Sequence, residues 1–499
     1  VPVLVCGAKW PCFKAFCKLR ACTRTAPDGP IAGRSHAQES ISPYRPLCVG
    51  PQLDLRFEPQ LEQLDRLLDD DELFEAVRDD LARRYPRTRS RGRPSTPVEV
   101  ILRMLVVMRL YSWSYAQAEF FVNDSLVLRQ FCRVYSERVP DDTTLIRWAG
   151  LIGPETFQAL NDRVVQLARS LKVTRGRKLR VDTTAVETGI HFPTDSGLIG
   201  DGVRVVSRLL RRARAALGEA ASGLKEAFRS RVRSVRRLSQ QLHRIARRNG
   251  DEGMEALKAA YGRLVAIGKR AGARGRRVLE VLRGHGDEPG SRRLAERLAE
   301  VLPRLKQAVG QAERRVLKED PVPSGEKLVS LFEPHTQVIP RFKAGKPAEF
   351  GRKLRLDEAE GGIIVGYKVL EKGGGQDQEH LADALAHHRR QFGRPPRLLA
   401  ADRGMSSAEN ERLAKEAGVA HVALPHVGKA LPGRRAEEKG RRFREGYRSR
   451  AGVEGRIHAL KRDYGLKRCR YRGERGFGRW VGWGVVAHNL AKVAWSARD

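Results

Sequence analysis

A chain of 499 residues carries 95 Lys and Arg against 59 Asp and Glu, a formal net charge of +36. The length allows roughly three domains with cores of their own, and the cationic excess disfavours a small module, a typical metabolic enzyme or an acidic disordered tail. A field of this sign attracts phosphates, so a polyanion is the leading partner, set against an arginine-rich soluble protein of biased composition. No apolar run is long enough to cross a bilayer: Arg103 and Arg109 break Val98 to Leu110, and His488 and Lys492 break the stretch from Trp480 to Trp495. The start, Val1 to Ala8, lacks the basic flank and small-residue site of a secretion signal. Cys6, Cys12, Cys17 and Cys22 fall in a leader, residues 1–51, without periodicity or Cys-x-x-Cys spacing. It reads as poorly ordered and need not belong to the functional protein.

Residues 52–172 read as a helical domain. Leu61, Leu64, Leu67, Leu68, Leu73, Phe74 and Val77 recur at helical spacing, and a basic turn follows at 84–93. Thr96, Pro97 and Glu99 carry the spacing of a capping box ahead of an apolar helix from Val98 to Tyr111. Shorter helices are predicted at 114–122 and 125–134, and a capping Asp or Thr within Pro140 to Trp148 opens another. Short helices with tight polar turns suit a helix-turn-helix-like DNA-binding domain, and equally an ordinary bundle.

Residues 173–499 alternate strand and helix, which makes the chain α/β. Lys178 to Val186 reads as a strand containing Asp182. A helical stretch, 204–320, interrupts the pattern with 30 Lys and Arg against 13 Asp and Glu. Its apolar residues step by three and four, as in Val232, Val235, Leu238, Leu242 and Ile245, which predicts amphipathic hairpins with arginine-coated faces. Those faces are either solvated or a phosphate-binding arm. Strands are predicted again at 327–331, 350–356 and 363–370, then a helix at 380–390 and an apolar strand from Arg397 that ends on Asp402. Ser406 and Glu409 offer a capping box for a helix to Ala417, Gly418 a left-handed cap, and 419–424 a strand. A basic loop, 425–446, leads to a helix from Tyr447 to Asp463, and an apolar, Trp-rich helix follows.

Two aspartates at strand ends stand where an α/β sheet presents functional groups, and converging carboxylates repel unless cations sit between them. Hard divalent ions with oxygen ligands, Mg²⁺ first, suit such a site. The helix from Tyr447 offers a third acid. At about 100° per residue, Tyr447, Arg450, Glu454 and Lys461 share one stripe, with Val453, Ile457, Leu460 and Tyr464 on the neighbouring, core-facing one. Glu454 would sit among cations, which keep it ionised, while the bases and the tyrosine hydroxyl can hold phosphates.

The arrangement Tyr447-x2-Arg450-x3-Glu454-x6-Lys461 resembles, at every spacing, the Tyr-Arg-Glu-Lys signature of bacterial insertion-sequence DDE transposases. Arg180-Val181-Asp182-Thr183-Thr184, Phe192-Pro193-Thr194-Asp195-Ser196, Ala401-Asp402-Arg403-Gly404 and Ala487-His488-Asn489-Leu490 are similar to that superfamily too, especially its ISNCY-like members. The resemblance covers about Leu53 to Ala494. It implies a ribonuclease H-like mixed-sheet catalytic core, with an N-terminal all-α domain that binds the element ends and the basic helical segment as a large insertion after the first strand. It implies that Asp182, Asp402 and Glu454 hold two Mg²⁺ ions, with Mn²⁺ able to substitute, for DNA cleavage and strand transfer by in-line displacement. Tyr447, Arg450, Lys461 and Arg403 would contact the DNA. The partners implied are terminal inverted repeats, target DNA and a second copy of the chain on DNA, in a bacterial cytoplasm at the nucleoid and with no membrane.

Asp195 and Asp201 compete for the role of first acid, with capping or solvation as their ordinary reading. Glu187 and Asp357 read as surface residues. Among the histidines His191, His426 and His458, only His458 shares the Glu454 stripe. Trp480 and Trp483 read as core. Two other functions use the same residues: a ribonuclease H-like nuclease or resolvase that cuts without joining, and a transposase-derived DNA-binding protein with relic acids.

Overall fold

The computed structural model describes residues 56–82, 96–247, 251–285, 289–343, 346–371, 377–429 and 431–496. The leader and the basic turn at 84–93 lie outside them. Seven helices come first: α1 (Pro59–Leu67), α2 (Asp71–Ala82), α3 (Val98–Leu110), α4 (Tyr115–Asp124), α5 (Leu126–Phe131), α6 (Asp142–Ala149) and α7 (Pro154–Ser170). Ser114 caps α4 in a full capping box with Gln117, and Ser125 and Asp141 cap α5 and α6. The box expected at Thr96 does not form. Pro97 is itself the cap residue, and Glu99 turns to Arg103 at 3.0 Å and Arg133 at 3.4 Å instead of reaching back. Helix α3 is buried almost all round, which its apolar sequence allows only because Arg103, fully buried, also meets Asp65 and Asp69 at 2.6 Å each.

After β1 (Lys178–Glu187) come α8 (Asp195–Leu217), α9 (Val232–Ile245), α10 (Asp251–Gly284) and α11 (Pro289–Ala312). These four helices build a hydrophobic cluster of their own around Val203, Leu210, Leu264, Val278, Leu298 and Leu305. Helices α8 and α11 approach closely where Gly202 meets Leu305; a Cβ there would stand 2.6 Å from its side chain. The helical segment therefore begins at Asp195, earlier than its charge suggests.

The remaining elements are β2 (Gln337–Lys343), β3 (Lys346–Glu358), β4 (Ile364–Val369), α12 (Leu381–Phe392), β5 (Leu398–Ala401), α13 (Ala408–Glu416), β6 (His421–Ala423), α14 (Pro432–Lys439), α15 (Arg441–Arg448), α16 (Ala451–Asp463) and α17 (Gly473–Ser496). The strands form one mixed sheet. β3 is antiparallel to β1 on one side, and on the other to β2 along its first half and β4 along its second. Beyond β1 the sheet continues in parallel through β5 and β6. The strand expected at 327–331 is absent: Leu328 and Leu331 are buried in the helical cluster instead. The strand there is β2, whose Pro340 is tolerated because β2 is a sheet edge. The stretch 425–446, expected as a loop, holds α14 and α15, supported by Arg434–Glu437 and Arg441–Glu445 ion pairs one turn apart. Ser407, one residue after the expected cap, accepts from Asn410 N and starts α13, and Gly418 ends that segment with φ of 89°.

Helix α17 packs on α1, α3 and α7, and its Trp483, Val486, Leu490 and Val493 belong to the same buried cluster as Leu61, Ile101 and Phe157. Asn489 fastens this core to the sheet: it accepts from Ile364 N at 2.9 Å and donates to Ile364 O at 2.7 Å and to Asn161 at 2.8 Å. The first and last helices are thus one layer, fixed to β4.

Candidate functional site

The register of the parallel pair builds the site. β1 and β5 align Lys178 to Leu398 through Val181 to Ala401, so the next step on each strand is Asp182 and Asp402. Asp182 lies inside the long β1, opposite Leu356 of β3, at the point where the β5 neighbour ends. Asp402 follows β5 directly, and its Oδ1 accepts from Arg403 N at 2.8 Å. The Asp182 side chain is 12% exposed, and its Oδ1 accepts from Thr183 N at 2.7 Å. Burial pushes the Asp182 carboxyl up to about 6, Asp402 and Glu454 add to the rise, and the Thr183 amide and Arg450 oppose it.

The helix expected from Tyr447 to Asp463 is broken. α15 ends at Arg448 and α16 starts at Ala451, with Arg450 as its cap residue. The break keeps the stripe together: the Arg450 guanidinium lies 5.5 Å from the centre of the Tyr447 ring, 3.2 Å from Asp182 Oδ2 and 2.5 Å from Glu454 Oε1. Burial opposes its charge, and Asp402, Asp182 and Glu454 outweigh burial and push Arg450 above its ordinary value. Gly446 seats α15 on the sheet, where a Cβ would stand 3.0 Å from Leu398 of β5. Gly452 seats α16 on β1, where a Cβ would fall 2.6 Å from the Arg180 guanidinium that pairs with Glu358 at 3.0 Å. Val453, Leu460 and Tyr464 are buried on the inner face of α16; Glu454 and His458 are exposed, and Lys461 is half-buried. Arg403 is exposed beside Asp402.

Asp182, Asp402, Glu454, Arg450 and Tyr447 are therefore one electrostatic cluster. The competing acids are elsewhere: Asp195 joins α8 to Gln311 of α11 and to Arg315 in the turn just after it, each at 2.8 Å, and Asp201 pairs with Arg204 at 2.6 Å. Glu187 pairs with Arg468 at 3.2 Å. Asp357 is not a surface residue; it is fully buried, held by Arg355 at 2.9 Å. Trp480 and Trp483 are core, with the Arg109 guanidinium 3.9 Å over the Trp480 ring.

One acid near the cluster carries no motif. Asp377 accepts from the Thr183 hydroxyl at 3.1 Å and from Lys353 Nζ at 3.3 Å, and it flanks Gly404, two residues past Asp402. Neighbouring Gln378 donates to Ser406 O, and Asn410 donates to both Gln378 O and Met405 O. The turn after Asp402 is thus braced from 377–378 while Thr183 is held by the same carboxylate. The signal available in the sequence is only an acid next to a Gly run.

Among the described residues no three acidic, imidazole or thiol groups stand close enough to hold a metal ion, and the cation between the carboxylates is Arg450. The donor chemistry still fits a hard divalent ion: carboxylate oxygens from three separate elements, one of them buried and made harder to ionise by the other two.

A family model described as "Transposase domain (DUF772)" matches residues 54–150, and one described as "Transposase DDE domain" matches 332–490. No curated protein and no solved structure matches the chain. The second match contains Asp402, Tyr447, Arg450, Glu454 and Lys461, while Asp182 lies upstream of it, and neither match singles out the ISNCY-like branch. With both transposase domains present in this order, the chain belongs to the DDE transposases of insertion sequences.

Proposed function

We propose that this transposase binds the ends of its element and catalyses metal-dependent DNA strand cleavage and strand transfer at Asp182, Asp402 and Glu454. The observation that carries this reading is the register that puts Asp182 and Asp402 at the same step of two parallel strands, with Glu454 tied to Asp182 through one guanidinium. A sheet with three antiparallel strands, β4, β3 and β1, continued by parallel β5 and β6, supports a ribonuclease H-like core. Under this reading, helices α1 to α7 contact element ends, and two copies pair two ends.

Two divalent ions, Mg²⁺ first and Mn²⁺ as a substitute, would be held by the three carboxylates and would polarise the scissile phosphate and the attacking water or 3′ hydroxyl. The chain's own contribution is position and charge. β1 and β5 fix two carboxylates through backbone pairing, so their spacing costs nothing to reorganise when DNA arrives. Arg450 exchanges its carboxylate partners for a phosphate oxygen, Tyr447 supports the guanidinium from its ring face, and Lys461 and Arg403 add cationic contacts along the same strand. No covalent protein intermediate is needed.

The test is cleavage and joining of a labelled element end. Glu454→Gln should retain end binding and lose both reactions in Mg²⁺ by at least about a hundredfold. Undiminished cleavage by that variant would remove Glu454 from the site, and cleavage without joining in the native chain would leave a nuclease.

A further inference from the structure

The insertion is basic throughout, yet its charges are not alike. On α10 and α11 some cations meet acids, Lys258 with Glu319 at 2.5 Å, Lys269 with Glu313 at 2.8 Å, Arg292 with Glu296 at 3.3 Å and Arg304 with Glu300 at 2.8 Å, while others such as Arg263, Arg276 and Arg293 are exposed outside any ion pair among the described residues. α9 has no acidic residue of its own. Its Val235, Leu242 and Ile245 are buried against α8 and α10, and at about 100° per residue Arg233, Arg236, Arg237 and Arg244 fall on the opposite face, all exposed. Among the described residues none of the four is in an ion pair. Arg233 stands one turn from both Arg236 and Arg237, a spacing at which like charges destabilise a helix. A cavity of about 530 Å³ opens between this face and α10, lined by Arg237, Gln240, Gln241, Arg244, Ile245 and Ala256.

A helix that binds its neighbours through one face and concentrates self-repelling guanidinium groups on the other is built for a counter-charge from outside. We propose that the exposed face of α9 is a sequence-independent clamp for the backbone of double-stranded DNA. Arg233 to Arg244 spans about 16 Å, the axial length over which one strand carries about five phosphates. Planar guanidinium groups suit phosphate oxygens in pairs, and with only Gln240, Gln241 and His243 set among them the arginines dominate the face, which gives grip with little sequence choice. The choice of DNA over another polyanion rests on the function proposed above. The surface itself rests on charge and exposure alone.

The experiment measures affinity of the full chain for a random-sequence DNA duplex across a salt series. Replacing Arg233, Arg236, Arg237 and Arg244 by Gln should lower affinity at least tenfold at low salt and flatten the slope of log affinity against log salt by about three to four, at about 0.9 per phosphate contact. The corresponding Lys variant should keep most of the slope, which separates charge from folding. A control with Lys258, Lys269, Arg292 and Arg304 changed to Gln removes the same charge from paired positions and should shift the slope by less than about one. An unchanged slope in the α9 variant, or equal flattening in the control, overturns the clamp. A stronger effect on an RNA duplex than on DNA would assign the surface to RNA and overturn it as well. Native chain with no DNA affinity would instead overturn the proposed function, and cleavage of a saturating, pre-bound end should be the same with and without the α9 arginines.

Discussion

The Arg450 guanidinium stands 3.2 Å from Asp182, a residue 268 positions earlier in the chain, and by this one contact the broken helix α15–α16 is tied to the centre of the sheet. The same group reaches Glu454 at 2.5 Å and feels Asp402. It supplies within the protein the positive charge that three converging carboxylates require.

Arg450→Gln should therefore leave the acids without a shared cation. Added Mg²⁺ should then stabilise the variant more than the native chain, with a rise in melting temperature about twice as large, because an ion that binds only the folded state shifts unfolding by mass action. Thermal unfolding with and without Mg²⁺ checks this without any turnover. An identical shift in both proteins would mean that Arg450 and the metal do not share the carboxylates.

Asp377 is expected to act by position. Asp377→Ala releases the Thr183 hydroxyl and Lys353 and loosens the brace beside the Asp402 turn. Cleavage should slow by about tenfold in kcat, with end affinity unchanged and partial recovery in Asp377→Asn, which keeps an acceptor for Thr183. Weakened end binding at full kcat would make Asp377 a binding residue instead.

Acid should unfold the chain through His488. Burial on α17 pushes this imidazole down to about 4, and it bonds Gly362 O at 3.1 Å. The folded state stays neutral where the unfolded chain, with an ordinary value of 6.5, takes up a proton. The stability involved is complete above 6.5 and is lost as the pH falls from 6.5 to about 4, a loss of about 3 kcal/mol. Urea denaturation of the native chain and His488→Gln at pH 7 and pH 4 reads the difference. Parallel pH profiles would dismiss it.

A fragment of residues 52–172 should not fold alone. Its apolar cluster is completed by Trp483, Val486, Leu490 and Val493 of α17. Circular dichroism and size-exclusion chromatography of the fragment should show low helicity or aggregation, recovered when a segment carrying α17 is joined by a linker. A monomeric, cooperatively unfolding fragment would show that the seven helices bury enough by themselves.

Much of this site was legible because its signals are local. Asp182 and Asp402 stand out as acids in or after apolar runs, and the spacing from Tyr447 to Lys461 survives the helix break because Ser449 and Arg450 keep turn geometry. Other features depend on partners far away. Asp357 looks like a surface acid until Arg355, itself held by Asp383 from 28 positions later, pairs with it in the core, and Asp377 acquires meaning only from Thr183, 194 positions earlier. β2 hides behind Pro340, and α14 and α15 behind a composition so dominated by charged residues that it reads as a loop. The two adjacent serines at 406 and 407 cannot be ranked as caps before the short turn at Arg403–Met405 is known.

The placement of α17 also sets an order of events during synthesis. Helices α1 to α7 leave the ribosome early, but the side chains that seal their core belong to a helix made after the whole sheet and the insertion. The core of the N-terminal layer is therefore complete only once translation has passed Val493. Because Glu454 and its helix precede α17 in the chain, the three acids are already synthesised when that layer closes, so a chain interrupted before α17 lacks the seal and carries the acids on an unfinished protein.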